Sequence, residues 1–467
     1  VASHPHTRPG PPLAPTDAFL RLARRRGVAW LDSSLPRAGD GRHSILCAEP
    51  RWTFRSYGPR WEISYADGHL ERGDRDAIAE LDRRLAQRRI PISADGPALP
   101  FYGGAIGWLS YDLGRQFERL GSGPIEDVHL PDLHLAWYDA AAVWDHAAQQ
   151  LTLVSIEGER PAEAAVAELA RWLNEPAPSS TLPATAPPPC IAQANFTRDT
   201  YETGVRTVRQ RIAQGEFYQL NLVQRFRCSP QELPATTYLR LRAANPAPFA
   251  AYLSAEDICI LSSSPERFLE VEPDGRVRTC PIKGTRRRGA SPADDASLRA
   301  ELLASPKERA ELLMIVDLLR NDLGRVCTAG SIEVPRLHSL ESFATVHHLV
   351  GEVRGQLRPE VTPGSLLRAV FPGGSITGAP KVSAMRAIDQ LEPTRRGIGM
   401  GSIGYFSAHG RIDLSIAIRT IISHSGVADI PVGAGIVWDS DPSSEYEETL
   451  AKARAQFAAL GVTAIIP

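Results

Sequence analysis

GMGSIGYFSAHGRIDLSIAIRTII, residues 399–422, decides between two architectures. Its first six letters match the GxGxxG spacing of a dinucleotide-binding turn, which needs a strand before it and a helix after it. Here the glycines lead into YFSAHG (405–410), a turn signal, and then into a run that alternates. Over 411–422, Ile412, Leu414, Ile416, Ile418 and Thr420 fall on one side and Asp413, Ser415, Ala417 and Arg419 on the other. That is the two-residue period of a strand. The stretch reads as one strand entered through a turn, and no nucleotide is implied.

Working outward, 305–321 has helical spacing, with Leu312, Ile315, Val316 and Leu319 on one face. Residues 197–214 read as a helix with a threonine cap, followed by the apolar strand 219–228. Nearer the start, 61–65 and 150–156 read as strands and 77–89 and 162–173 as helices. Strands and helices do not alternate regularly, so the expected class is α+β and not a doubly wound sheet. The clearest seam is NEPAPSSTLPATAPPP (174–189), whose composition cannot bury a core and behaves as a linker or exposed loop. It suggests a first domain over 1–175, a linker over 176–192 and a second domain over 193–467. The first dozen residues are proline-rich and expected to be loose.

Hydrophobic residues make up 43% and charged residues 23%, the balance of an ordinary soluble globular protein. A net charge of −2 supplies no field that would draw the chain to nucleic acid or an anionic membrane. The six cysteines lie far apart with no CxxC pair. That argues against a zinc site or disulfide framework and fits a reducing cytoplasm. No apolar run approaches a membrane span, and the opening VASHP lacks the layout of a signal peptide. The basic runs 24–26 and 286–288 are short and lack interleaved aromatics, so they read as solvated or rim charge.

Two acidic pairs share one spacing. Glu308 and Glu311 lie one turn apart on the helix at 305–321, and Glu445 and Glu448 repeat the interval in SEYEETLAKARAQF (444–457). Two facing helices of this kind could offer hard oxygen ligands to Mg²⁺, and no histidine or cysteine accompanies them to favour a transition metal. A solvated acidic face reads the same way. Lys283, in TCPIKGT (279–285), is a nucleophile if buried without its proton, or a side chain whose stem packs while its amine reaches water. Glu266, in SSSPERF (262–268), follows a strand end and is a candidate acid, or an ion-pair partner of Arg267 or Arg286. Adjacent His347 and His348 on a strand face opposite ways, so at most one enters a shared site. FPGGSITGAPK (371–381) is not a phosphate loop, because Ala-Pro stands where GK[ST] is required. It remains an anion-binding turn with the hydroxyls of Ser375 and Thr377 nearby.

Taken together, YQLNLVQRF (218–226), SSSPERF (262–268), PIKGT (281–285), KERAELLMIVDLLRNDLGRV (307–326), ESFATVHHLVG (341–351), FPGGSITGAPK (371–381), GYF (404–406), LSIAIRT (414–420) and GAGIVWDSDPSSEYEETLAKA (433–453) resemble the chorismate-utilising enzymes. LDSS (31–34), RHSILCAEP (42–50) and FYGGAIGWLSYD (101–112) resemble their N-terminal domain more loosely. The resemblance implies a large antiparallel β-sandwich core surrounded by helices. It implies Mg²⁺ ligated by Glu311 and Glu448, with Glu308 and Glu445 acting through water. It implies Glu266 as the acid for the hydroxyl leaving carbon 4 and His348 beside the reacting ring. Arg419 and Tyr405 would bind the enolpyruvyl carboxylate, helped by the amides of Gly433, Ala434 and Gly435 and by Lys452. Thr377 would lie near the substrate.

Two positions choose the reaction within that family. Isochorismate-forming members carry a water-activating lysine where Gln219 stands here, and anthranilate-forming members carry alanine where Lys283 stands. Lysine in PIKGT, ahead of Thr285, resembles the members in which the amine attacks carbon 2 of chorismate and ammonia then attacks carbon 4. Both Gln219 and Thr285 would line the substrate. The alternative is amination at carbon 2, giving anthranilate. AELLM has Leu312 where many relatives have histidine, and Trp438 replaces a smaller residue after GAGIV. No Gly-x-Cys-x-Gly elbow is present, so ammonia is expected from a glutamine amidotransferase on a separate chain. LDSS lies where feedback-regulated relatives bind tryptophan.

Overall fold

A computed structural model describes residues 5–35, 40–91, 98–121, 123–158, 160–176, 186–342 and 346–467. Within them, two large sheets stack around a common core. One sheet runs, in spatial order, His6–Pro9, Gln150–Ser155, Ala140–Asp145, His43–Cys47, Ala29–Asp32, Phe249–Ala255, Ile258–Ser264, Thr420–His424, Val427–Ile436, Gln219–Cys228, Cys190–Ala194 and Val462–Ile466. The other runs Ile282–Arg287, Val346–Gln356, Arg276–Cys280, Arg267–Val271, Ile412–Ile416, Ser402–Ser407, Gly104–Leu109, Leu133–Tyr138, Trp52–Tyr57, Arg60–Tyr65 and Leu70–Gly73. Among these strands only Cys190–Ala194 with Val462–Ile466 pair in parallel. The α+β class and the antiparallel sandwich expected from the resemblance are both present.

Both sheets draw strands from either side of the seam at 176–192: Ala29–Asp32 pairs with Phe249–Ala255, and Gly104–Leu109 with Ser402–Ser407. The seam separates two lengths of chain, but their strands are hydrogen-bonded into shared sheets. The linker reading itself falls largely on 177–185, outside the described residues, as do residues 1–4 and part of the matched segment at 343–345.

Phe54, Ile106, Trp108, Leu135, Leu253, Ile403 and Leu414 fill the core between the sheets. Each fully buried side chain of this size contributes about 1.5–3 kcal/mol. Phe19, Trp30, Leu169, Tyr238 and Leu460 form a second core beneath outer helices. Tyr201, Val205 and Val208, from helix Arg198–Ala213, pack on Leu220, Leu222, Ala434 and Ile436. The helix expected at 197–214 is there, with Thr197 accepting from the Thr200 N–H at 3.1 Å.

The strand expected at 411–422 is two strands. Ile412–Ile416 belongs to one sheet and Thr420–His424 to the other, so the chain crosses the sandwich at 417–419. Arg419 takes a left-handed φ of 50° there, and Ala417 exchanges backbone hydrogen bonds with Met400 and Gly401. This crossover sets Arg419 on the connection between the two sheets.

Candidate active site

Strands Gln219–Cys228 and Val427–Ile436 pair from Leu220 with Ile436 to Cys228 with Ala428, which sets Gly435 across from Asn221 and diagonal to Gln219. The missing side chain at Gly435 is where three elements meet. A methyl group there would lie 2.7 Å from Gln219 Nε2 and 3.6 Å from Lys283 Nζ. Lys283 reaches this point half-buried, from strand Ile282–Arg287 of the opposite sheet. Gln219 is 1% exposed, and its Oε1 is buried with no hydrogen-bond partner among the described residues. Strand Thr420–His424 pairs with Val427–Ile436 only at residues 427–429. Among the described residues, alternate amides over 433–435 therefore face an open edge. Lys452 donates to the Gly433 carbonyl at 3.0 Å and pairs with Glu448 at 2.7 Å.

Glu266 follows strand Ile258–Ser264 and is buried. Burial pushes its carboxyl up; a hydrogen bond from Ser375, the charges of Lys283 and Lys452 and the Ile282 N–H act the other way. Burial also lowers the Arg419 guanidinium, while Glu266 draws it back. Among the described residues no hydrogen bond or ion pair reaches the Arg419 guanidinium. The alternative pairing of Glu266 with Arg267 or Arg286 does not occur. Arg267 pairs with Asp40, Glu270 and Asp413, and Arg286 with Glu301 and Glu308.

Helix Pro306–Gly324 starts at Ser305, which accepts from the Glu308 N–H at 3.4 Å, and proline occupies its first turn. Leu312, Ile315, Val316 and Leu319 hold it to the sheet. Gly351 permits the approach, since a methyl there would come within 2.7 Å of Val316 Cγ2. Burial drives Glu311 up to about 7; Lys283 opposes this, while Glu308 and Glu445 reinforce it. On helix Pro442–Leu460, Glu445 is raised by burial, against a hydrogen bond from Ser440, with Glu448 adding to the rise. Burial also raises Glu448, but Lys452, Lys283 and Lys307 together bring it below the ordinary carboxylate range. The two acidic pairs therefore share one field with Lys283. Among the described residues no three His, Cys, Asp or Glu side chains converge to hold an ion alone. Mg²⁺ commonly takes one or two carboxylates and completes its shell with water and substrate oxygens. Hard, mutually repelling carboxylates suit it.

The remaining expected residues divide. His347 turns to Ser342 and Asp295, while His348 Nδ1 lies 2.9 Å from Thr285 Oγ1 and 3.4 Å from the Gly284 carbonyl. The two histidines face opposite ways, as adjacent strand residues must. The bulge at Gly284 pairs Lys283 with Leu349 but Thr285 with His348, and Thr285 is exposed. Thr377 is buried and donates to the Gly373 carbonyl at 2.9 Å, closing its own turn. Tyr405 requires a correction. Its ring lies against Phe101, and it lines a cavity with Asp32, Ser33, Arg267, Glu270, Arg411 and Asp413, whose lining includes none of Lys283, Glu266, Glu308, Glu311, Glu445 and Glu448. Strand register decides this, because Tyr405 stands opposite Asp413 and so shares its face. Ser375 and Lys307 are additions. The hydroxyl of Ser375 was visible in the turn, but its partner Glu266 was not. Lys307 has the one-turn spacing to Glu311 that a helix face requires.

Chorismate binding enzymes, as a family, match residues 37–458. Aminodeoxychorismate synthase component 1 of Salmonella typhimurium is 45% identical over 448 residues, covering 94% of this chain and 95% of that protein. Anthranilate synthase component 1 1 of Haloarcula marismortui is 40% identical over 456 residues, covering 94% and 89%. The crystal structure of anthranilate synthase component I from Streptococcus pneumoniae superposes with a TM-score of 0.78 at 35% identity, covering 89% of this chain and 92% of that one.

Proposed function

Because the chain belongs to the chorismate binding enzymes, we propose that it aminates chorismate at carbon 4, giving 4-amino-4-deoxychorismate on the route to 4-aminobenzoate and folate. The observation that carries this reading is the Lys283 amine beside Gln219 and Gly435, in the same field as Glu266, Glu311 and Glu448. The name of the Salmonella relative, aminodeoxychorismate synthase component 1, agrees with it.

In this reading the Lys283 amine bonds to carbon 2 while the carbon 4 to oxygen bond breaks, and Glu266 passes its proton to the departing hydroxyl, which leaves as water. A carboxyl raised by burial holds that proton at neutral pH, as a general acid must. Ammonia then bonds to carbon 4 and the bond from carbon 2 to Lys283 breaks, so the residue is regenerated. Arg419, lacking a carboxylate of its own, receives the enolpyruvyl carboxylate together with the open amides of 433–435. His348 stands at the ring, next to the strand that carries Lys283. Mg²⁺ would be held by Glu311 and Glu448, with Glu308 and Glu445 through water, and would supply positive charge against the ring carboxylate. A glutamine amidotransferase on a second chain supplies the ammonia, as "component 1" in the relatives' names suggests. A cytoplasmic setting fits the six free cysteines. Among the described residues no helix is long and apolar enough to cross a membrane.

Incubation with chorismate, Mg²⁺ and ammonium, with products separated by mass, tests the reading. 4-Amino-4-deoxychorismate is expected; anthranilate as the main product would replace this reading with amination at carbon 2. Rapid quench and peptide mapping should find the substrate's mass added at Lys283.

A further inference from the structure

Residues 371–380 form a bracket closed by a single ammonium group. Lys381 Nζ donates to the Val370 carbonyl at 2.6 Å and pairs with Asp322 Oδ2 at 2.6 Å. Both feet of the loop are thereby tied to the last turn of the helix that carries Glu308 and Glu311. The pair is buried, with side-chain exposures of 10% and 5%. Between the feet, Gly374 presses on that helix, where a methyl group would lie 2.7 Å from Leu318 Cδ2. The same loop sends Ser375 to Glu266, accepts the Asn221 N–H on the Thr377 carbonyl at 2.8 Å, and pairs Gly378 and Ala379 with Leu220 and Gln219.

We propose that Lys381 is a positioning residue for Glu266, acting by clamping the loop that carries Ser375. The inference rests on the reading above, in which Glu266 protonates the leaving hydroxyl. Without the amine, the buried Asp322 carboxylate loses its paired cation, keeping only the charge of Arg325, and the Val370 carbonyl loses its donor, so the feet separate and Ser375 withdraws. A hydroxyl that donates to a carboxylate favours its ionised form, so its withdrawal makes Glu266 a weaker acid. The charges of Lys283, Lys452 and Arg419 that face Glu266 stay in place.

The pH profile of kcat tests this, since kcat falls on the alkaline side as Glu266 loses its proton. Ser375→Ala should move that limb up by on the order of half to one pH unit. Lys381→Met should move it equally, lower kcat by on the order of tenfold, and leave KM nearly unchanged. Ser375→Ala combined with Lys381→Met should move the limb no further, and Lys381→Arg should restore it in part. Lys381→Met with Asp322→Leu removes both buried charges and keeps a folded enzyme available for the same measurement. A wild-type limb in that folded double variant overturns the clamp, as do shifts that simply add. An alkaline limb that survives in Glu266→Gln overturns the clamp together with the role of Glu266, whereas a limb lost there but unmoved by Lys381→Met overturns the clamp alone.

Discussion

Two regions of this protein hold buried charge, and they treat it in opposite ways. In the cavity lined by Tyr405, Arg267 is held by Asp40, Glu270 and Asp413, Arg278 by Glu270 and Asp40, and Arg411 by Glu270 and Glu272. Each cation there has carboxylates in contact. Around Lys283, Glu311 is crowded by other glutamates, and among the described residues the Gln219 oxygen has no hydrogen-bond partner and the Arg419 guanidinium no ion pair, only the charge of Glu266. A network in which every charge is paired, even with the Arg411 Nε left without a hydrogen bond among the described residues, specifies structure. An unsatisfied one stores free energy that a ligand can recover.

Substitutions should separate the two regions. The largest effect is expected at Lys283. Lys283→Ala should lower amination at carbon 4 by on the order of 10³-fold or more, about 4 kcal/mol of barrier, with a little anthranilate formed. Product quantification checks it, and a near-wild-type rate would end the covalent reading. Next comes Glu270→Gln in the satisfied cavity, which leaves Arg267, Arg278 and Arg411 short of a carboxylate. Breaking such a buried network costs about 3–5 kcal/mol, read as a lower denaturant midpoint at unchanged m-value. Arg419→Met should do the reverse. Losing the contact with a bound carboxylate costs about 1.5–3 kcal/mol, so KM for chorismate should rise at least tenfold. Stability should stay within about 1 kcal/mol or improve, because no partner is orphaned. A collapse in stability there would mean that Arg419 is structural.

How legible these regions were in the sequence follows from the same physics. Helical spacing is local, so Glu308 with Glu311 and Glu445 with Glu448 could be paired on sight. That the two helices share a field with Lys283 depends on sheet topology, which spacing does not carry. Alternation over 411–422 was read correctly for Ile412–Ile416 and then misled. Both sheets face one core, so the apolar pattern continues through Ile418 while the chain changes sheet at Arg419. Tyr405 was placed with Arg419 because both belong to matched motifs, but a strand residue's face is fixed only once its register with Asp413 is known. Asp322 and Lys381 sit 59 positions apart, and no local pattern links them.

The smallest effect, and the one that contrasts the two regions most directly, is the slope of stability with pH. Burial raises Glu270, but Arg267, Arg278 and Arg411 bring it down to about 2, below the roughly 4.3 of an unfolded glutamate. Its contribution is therefore complete above about pH 4.3 and is lost as pH falls toward 2. Glu311 has the opposite sign. With its carboxyl pushed up to about 7, the folded state binds the proton more tightly than the unfolded chain. Its contribution is complete below about pH 4.3 and disappears as pH rises through 7. Urea midpoints for Glu270→Gln should thus lose slope only below about pH 4.3, and those for Glu311→Gln only between there and neutrality. Millimolar Mg²⁺ adds the decisive arm. If Glu311 is a ligand, the cation stabilises its ionised form, and at pH 8 it should raise the midpoint of the wild-type protein but not that of Glu311→Gln. Equal responses in the two proteins would remove Glu311 from the metal site.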